Sequence, residues 1–254
     1  MGDDNQNNAR FSKLTYDDFR LMAGDNSLSR HEKIGFPDRY RAGREGEIFA
    51  DIRKKLPILD GQGRQVLDIG PGCGDLPHIL LAHCEARDHE LSLVDSAEML
   101  AQLPDSKCAS KIPGQFPTEC LDFVERAAGT FHAVIVYSVL HYVLPGGDIF
   151  AFFDRLCQTL APGGSLLIGD VPNVSKRKRF FSSENGIEFH KNFMKTTEAP
   201  TVTFNIPEYD AIDDAVIVGL ILRGRSAGFD VYVLPQPSSL PMANRREDIL
   251  VQRP

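Results

Sequence analysis

Between residues 66 and 168, apolar runs of strand length alternate with segments of helical periodicity, an order that few architectures accept. The strand-like runs are 66–69, 91–94, a weaker 109–112, 133–137 and 165–168. Helical stretches lie between them at 76–84, 97–103 and 119–127, and a further one sets Ile149, Phe152, Phe153, Leu156 and Leu160 on one face. Strands separated by helical crossovers run parallel, so this part of the chain is expected to be α/β, with helices on both faces of a mainly parallel sheet. An apolar helix at 215–222 follows. Two last strand-like runs, 231–234 and 249–251, have no helix between them and are expected to pair antiparallel, completing seven strands.

The flanking segments follow different rules. Residues 1–10 are polar and unpatterned, as expected of a disordered start. Residues 11–60 read as a helical layer ahead of the sheet: a short helical pattern at 16–22, a turn-rich stretch around Gly24 and Asn26, and Ile48, Phe49, Ile52 and Leu56 at helical spacing before Pro57. From 173 to 209 the alternation breaks around Lys176-Arg177-Lys178-Arg179; so long a stretch suggests an inserted helical lid. With 254 residues and 42% hydrophobic content, residues 11–254 are expected to form one domain.

A formal net charge of -7 lacks the footprint of a general nucleic-acid binder, leaving room only for a local basic patch. No apolar run approaches the roughly 20 residues needed to span a bilayer. The N-terminus resembles neither a signal peptide nor, with Gln6 where Ser or Thr is needed, a myristoylation site. A cytoplasmic protein, monomeric or homodimeric, is the expectation. The five cysteines have no C-x-x-C pair, and unpaired thiols in a reducing compartment fit them.

The chemistry concentrates after the first strand. Gly70, Gly72 and Gly74 let the backbone turn sharply there and approach a ligand as no side chain would permit. About twenty residues on, Asp95 ends the second strand, where a carboxylate can accept from both hydroxyls of a ribose. A nucleoside ligand is therefore expected. A dinucleotide fingerprint needs a third glycine where Asp75 stands, so the loop fits D-x-G-x-G-x-G better.

Four motifs in order then carry a resemblance. Val66-Leu67-Asp68-Ile69-Gly70-Pro71-Gly72-Cys73-Gly74, Leu93-Val94-Asp95-Ser96, the run from Phe131 to Tyr142, and Leu160-Ala161-Pro162-Gly163-Gly164 together resemble the class I S-adenosylmethionine-dependent methyltransferases. The resemblance spans about residues 45–172 and 212–252 and implies a Rossmann-like fold. It implies S-adenosylmethionine as cofactor and S-adenosylhomocysteine as product. Gly70, Gly72 and Gly74 would face the methionine part; Asp68 would hold the loop or the ammonium, Asp95 and Ser96 the ribose, and Tyr137 and Ser138 the methionine end. Where the family often has aspartate beside the adenine, this chain has Gln115 and Phe116, and His132 replaces a frequent aspartate at the start of the fourth strand.

Such a cofactor brings an activated methyl, leaving the protein to orient the acceptor, and no metal is required. A hydroxyl acceptor would gain from a general base, for which His141 and Asp170 are the candidates, each with a structural role as the alternative. Tyr142 and Asn173 stand at the same strand ends. Lys176, Arg177 and Arg179 could hold a phosphate or carboxylate of the acceptor, or form a solvated helix face, and His190 lies in the same segment. Residues 33–41, ahead of the first strand, could fold over the cofactor as a further lid element, from which Tyr40 and Arg41 could contact cofactor or acceptor, with ordinary packing and surface charge as the alternative. The leading expectation is methyl transfer to oxygen or nitrogen of a small metabolite, an anionic one included. RNA methylation, a nicotinamide-dependent oxidoreductase and a non-catalytic cofactor binder are the alternatives; DNA methylation lacks its motifs.

Overall fold

The computed structural model describes residues 13–254; the N-terminal stretch expected to be disordered, 1–10, lies outside the described residues. The first element of the described residues is α1 (Tyr16–Gly24), whose first turn is closed by a reciprocal cap between Thr15 and Asp18. Ser29 and Glu32 make the same cap on α2 (Arg30–Lys33). Then come α3 (Asp38–Arg41) and α4 (Glu45–Lys55), followed by a 3₁₀ turn at Pro57–Asp60. The alternation follows as expected: β1 (Gln65–Ile69), α5 (Asp75–Ala86), β2 (Glu90–Asp95), α6 (Ala97–Leu100), β3 (Ala109–Pro113), α7 (Leu121–Arg126) and β4 (Phe131–Tyr137). Next are α8 (Leu140–Val143), α9 (Ile149–Thr159) and β5 (Leu160–Pro172). After α10 (Val174–Phe181) and α11 (Glu184–Met194), the chain closes with α12 (Asp214–Ser226), β6 (Asp230–Pro235) and β7 (Arg246–Gln252).

The seven strands lie in the order β3-β2-β1-β4-β5-β7-β6, with β1 to β5 parallel and the β5–β7 and β7–β6 pairs antiparallel. This is a Rossmann-like α/β fold. The order reverses between β1 and β4, and in open α/β sheets that reversal leaves a crevice at the carboxyl ends of the strands. Period-two alternation sends Leu67 and Ile69 to one core with α9 and α12, and Val66 to the other with α4 and α5. Both faces are therefore filled with apolar side chains, and polar groups collect at the strand ends.

Two strands run further than their apolar patterns. β5 starts at Leu160, just before Pro162-Gly163-Gly164, and its pairing with β7 shifts register between Ile168 and Val171. The shift leaves Asp170 at a left-handed φ of 59°, and such a bulge re-aims its side chain. β7 starts at Arg246, three residues before its apolar stretch, because Arg246 and Glu247 already pair with β5, and Glu247 and Asp248 with β6. In the 173–209 segment, Asn173 caps α10 by accepting from the Ser175 and Lys176 N–H groups, and Ser183 caps α11. Among the described residues, no helix is long and apolar enough to cross a membrane.

Candidate active site

A cavity of about 360 Å³ opens at the carboxyl ends of β1, β2 and β4. Its floor is the glycine loop. Gly70 (φ +70°) and Gly72 (φ +64°) are left-handed, and a Cβ on either would lie 2.6 Å from a methyl of Val139 or Ile34. Glycine is therefore required twice over, by conformation and by contact. So shaped, the loop points the Gly72 N–H at Asp95 Oδ2 (2.9 Å), while the Ser96 N–H donates to Oδ1 (2.7 Å). Each carboxylate oxygen keeps a lone pair for a further donor.

Burial pushes Asp95 up to about 6 despite those two N–H donors, and pushes Asp68 up to about 8, with Asp95 adding to it. Both line the cavity, and among the described residues neither has an ion-pair partner. Two buried carboxylates with no cation beside them make a surface that would gain from hydroxyl donors and from a positive charge.

Met99, Gln115 and Phe116 wall the cavity beyond Asp95, and Phe152 meets Phe116 edge-on at 5.4 Å between ring centroids. The outer wall comes from the N-terminal layer: Tyr16 and Phe19 of α1, then Ile34 and Phe36. This strap is clasped by His31, whose Nδ1 lies 2.8 Å from Asp38 Oδ1 and whose Nε2 lies 3.0 Å from Glu45 Oε1. Arg20 adds an ion pair to Glu98 at 2.8 Å.

At the end of β4, Ser138 sits at φ +61° and links two elements. Arg41 Nη2 donates to Ser138 Oγ (2.9 Å), and Ser138 Oγ donates to Asp170 Oδ2 (2.5 Å). Arg246 closes the chain from β7, pairing with the Asp170 carboxylate at 2.8 Å and donating to its carbonyl at 2.9 Å. His141 stacks on Tyr142 with 4.0 Å between centroids, and its buried Nδ1 has no partner. Burial, reinforced by Arg246, pushes the imidazole down to about 3, so it is neutral at ordinary pH and a weak base. Burial pushes Tyr142 up to about 12, which keeps its hydroxyl protonated.

The cavity thus gathers Asp68, Gly70, Gly72, Asp95, Gln115, Phe116, Tyr137, Ser138, Arg41 and Tyr142. Gly74 and Ser96 support it from behind: Gly74 packs under the Ile34 side chain, and Ser96 caps α6 by accepting from the Met99 N–H. Asp170 lies one residue deeper, behind Ser138. His141 does not line the cavity, and neither does Tyr40, beside which Arg39 stacks at 5.0 Å.

The basic run is drawn elsewhere. Lys176 donates to the Arg246 carbonyl, Arg177 and Lys178 pair with Glu208, and Arg179 pairs with Asp214. Asn173 donates to Asp214 and Glu247, and His190 meets the Phe181 ring. All of these lie outside the cavity lining. The residues that sequence reasoning did not name are Tyr16, Phe19 and Arg246; Ile34 and Phe36 lie in the 33–41 stretch expected as a further lid element, and both line the cavity. Tyr16 and Phe19 lie in a short helical pattern that does not tell which surface the helix covers.

No protein-family model matches the chain. It is similar to a segment of chondramide synthase cmdD from Chondromyces crocatus, 29% identical over 132 residues that make up 50% of this chain and 3% of that protein. Among solved structures, it resembles the N-methyltransferase NodS of Bradyrhizobium japonicum WM9, solved with S-adenosylhomocysteine (TM-score 0.54, 15% identity, 94% of this chain and 98% of that one). It also resembles the CurJ carbon methyltransferase (TM-score 0.53, 15% identity, 98% of this chain and 67% of that one). A third is the plantazolicin methyltransferase BamL, solved with a desmethyl analogue and S-adenosylhomocysteine (TM-score 0.51, 13% identity, 94% and 96%). At these identities the likeness shows the fold, which is that of class I methyltransferases.

Proposed function

We propose that the chain is an S-adenosylmethionine-dependent methyltransferase acting on oxygen or nitrogen of a small acceptor. The carrying observation is the single cavity in which the D-x-G-x-G-x-G loop and the buried Asp95 face one another. The residues present fit the cofactor. The free lone pairs of Asp95 suit the two ribose hydroxyls, and the left-handed glycines leave room for the methionine chain against the loop. Asp68, held largely protonated near neutral pH by burial, suits a cationic neighbour that would draw off its proton. Gln115 and Phe116 offer an amide and a ring to the adenine.

The cofactor supplies an activated methyl, and the protein's part is orientation, worth roughly 7–11 kcal/mol when nucleophile and methyl are held in line. Phe36, Ser138, Val139 and Tyr142 line the space that an acceptor would enter. His141 is too weak a base to deprotonate an alcohol, and Asp170 is already engaged by Ser138 and Arg246. This favours an acceptor that arrives nucleophilic, as a neutral amine or an oxygen already ionised. The strap forms the outer wall of the cavity. The basic run at 176–179 is engaged by Glu208, Asp214 and the Arg246 carbonyl, which favours a small acceptor over RNA.

Incubation with methyl-labelled S-adenosylmethionine and a metabolite extract, followed by mass analysis, tests the reading. Label should appear in a small molecule. Asp95→Ala should weaken S-adenosylhomocysteine binding about tenfold or more, since bonds to a charged acceptor contribute about 1.5–3 kcal/mol each. Tight binding of NAD with no binding of S-adenosylhomocysteine would refute the proposal.

A further inference from the structure

We infer that Arg41, set on Ser138, is the anchor for a carboxylate carried by the acceptor. This rests on the proposed methyltransferase reading and names its substrate class. Arg41 is only 6% exposed and has no ion-pair partner among the described residues. Its Nε is buried with no hydrogen-bond partner. A guanidinium left so in a protein interior is costly, and the groups around it show what would compensate it.

The rings of Phe36 and Tyr137 stand 4.5 and 5.5 Å from its centre. They offer it cation–π contact but accept none of its in-plane hydrogen bonds. One Nη2 donor is spent on Ser138 Oγ. Nε–H and the second Nη2 proton are the donors left for a ligand, the pair that can match a carboxylate in two bonds. Ser138 is fixed in turn, since its hydroxyl proton goes to Asp170, which Arg246 pins. Asp170 and Arg246 are therefore positioning residues for Arg41.

A carboxylate is favoured over a phosphate by charge. Arg41 is the cationic side chain of a cavity otherwise lined by Glu45, Asp68, Asp75, Asp95 and Asp148. One guanidinium neutralises a monoanion; a dianion would leave a charge facing those carboxylates. The resemblance would put Ser138 at the methionine end of the cofactor; strand order instead places Arg41 on the acceptor side. Asp95 ends β2, the glycine loop ends β1, and the partners of Arg41 lie beyond it on β4 and β5.

Benzoate and its neutral twin benzamide, titrated by saturation-transfer NMR onto the S-adenosylhomocysteine complex of the full chain, test the inference. Wild type should prefer benzoate. Arg41→Met should lose that preference by about tenfold, as expected for one charge-assisted contact, and Arg41→Lys should keep part of it. S-adenosylhomocysteine affinity should stay within about twofold in both variants, which also reports that the fold is intact. The inference is overturned if wild type binds the two probes equally, a result that needs no variant. It is equally overturned if Arg41→Met weakens S-adenosylhomocysteine but not 5′-methylthioadenosine, which lacks the amino-acid end, because Arg41 would then hold the cofactor. Should wild type bind no S-adenosylhomocysteine, the methyltransferase reading fails, and the same two probes on the ligand-free protein still decide the anion site.

Discussion

The strap before the sheet and the segment after β5 are both helical and both outside the Rossmann-like core, yet they use their basic residues in opposite ways. In the segment after β5, four consecutive basic residues are conspicuous in the sequence, and each is spent on a nearby carboxylate or carbonyl. In the strap, Arg41, in a stretch with no run of basic residues, ends up buried, without a carboxylate partner among the described residues, and lining the cavity. A charge that finds a local partner contributes to the fold; a buried one left without a partner marks a place for a ligand.

Four measurements break or sharpen that contrast. The largest effect should follow His31→Ala, which removes the clasp between Asp38 and Glu45 and leaves the buried Glu45 carboxylate without its partner. Breaking such a buried pair should cost about 3 kcal/mol, read as a melting temperature lower by about 6–12 °C. An unchanged melting temperature would mean that the strap is held by other contacts.

Gly72→Ala comes next. Its Cβ would meet Ile34 at 2.6 Å on a left-handed backbone, so the strap must lift from the loop. The conformational strain alone is about 1–2 kcal/mol, and S-adenosylhomocysteine affinity by calorimetry should fall about tenfold or more. Full affinity would show that the loop and the strap are not coupled.

The third is a pH effect beneath the strap. Burial raises Asp68 to about 8, so the ligand-free fold holds a proton there that the unfolded chain releases at about 4. On this group's account, stability of the free protein is greatest at low pH and is lost as pH rises from about 4 towards 8. A cationic ligand favours ionised Asp68, so S-adenosylhomocysteine affinity should rise between pH 6 and 8, by at most about tenfold per unit. Asp68→Asn should flatten that profile; a profile that stays steep would move the proton to another group.

The smallest effect belongs to the basic run. Arg177→Gln with Arg179→Gln removes two exposed pairs worth about 0.2–1 kcal/mol each, and should lower the melting temperature slightly with no change in S-adenosylhomocysteine affinity. A clear loss of acceptor turnover would bring the segment back into the site.

The glycine loop and Asp95 were legible because spacing along one strand–turn–helix unit dictates them: the backbone must turn immediately after β1, and Asp95 ends the next strand in register. Their partners were less so. Arg246 lay outside the apolar pattern at 249–251, because backbone pairing, which has no side-chain signature, extends β7 three residues earlier. Asp170 read as a candidate base because the bulge that turns it towards Ser138 and Arg246 depends on how β5 meets β7.

By itself, the sequence determined the alternation, the parallel sheet with its antiparallel end, the loop with its left-handed glycines and the carboxylate facing it. These follow from periodicity and local sterics, which act over a few residues. Only the tertiary structure decided that Ile34 closes on the loop, that the basic run is neutralised from residues 208 and 214, and that Arg41 meets Ser138 across 97 positions of chain. Contacts of that range depend on which surfaces the packed core brings together, and no local pattern encodes them.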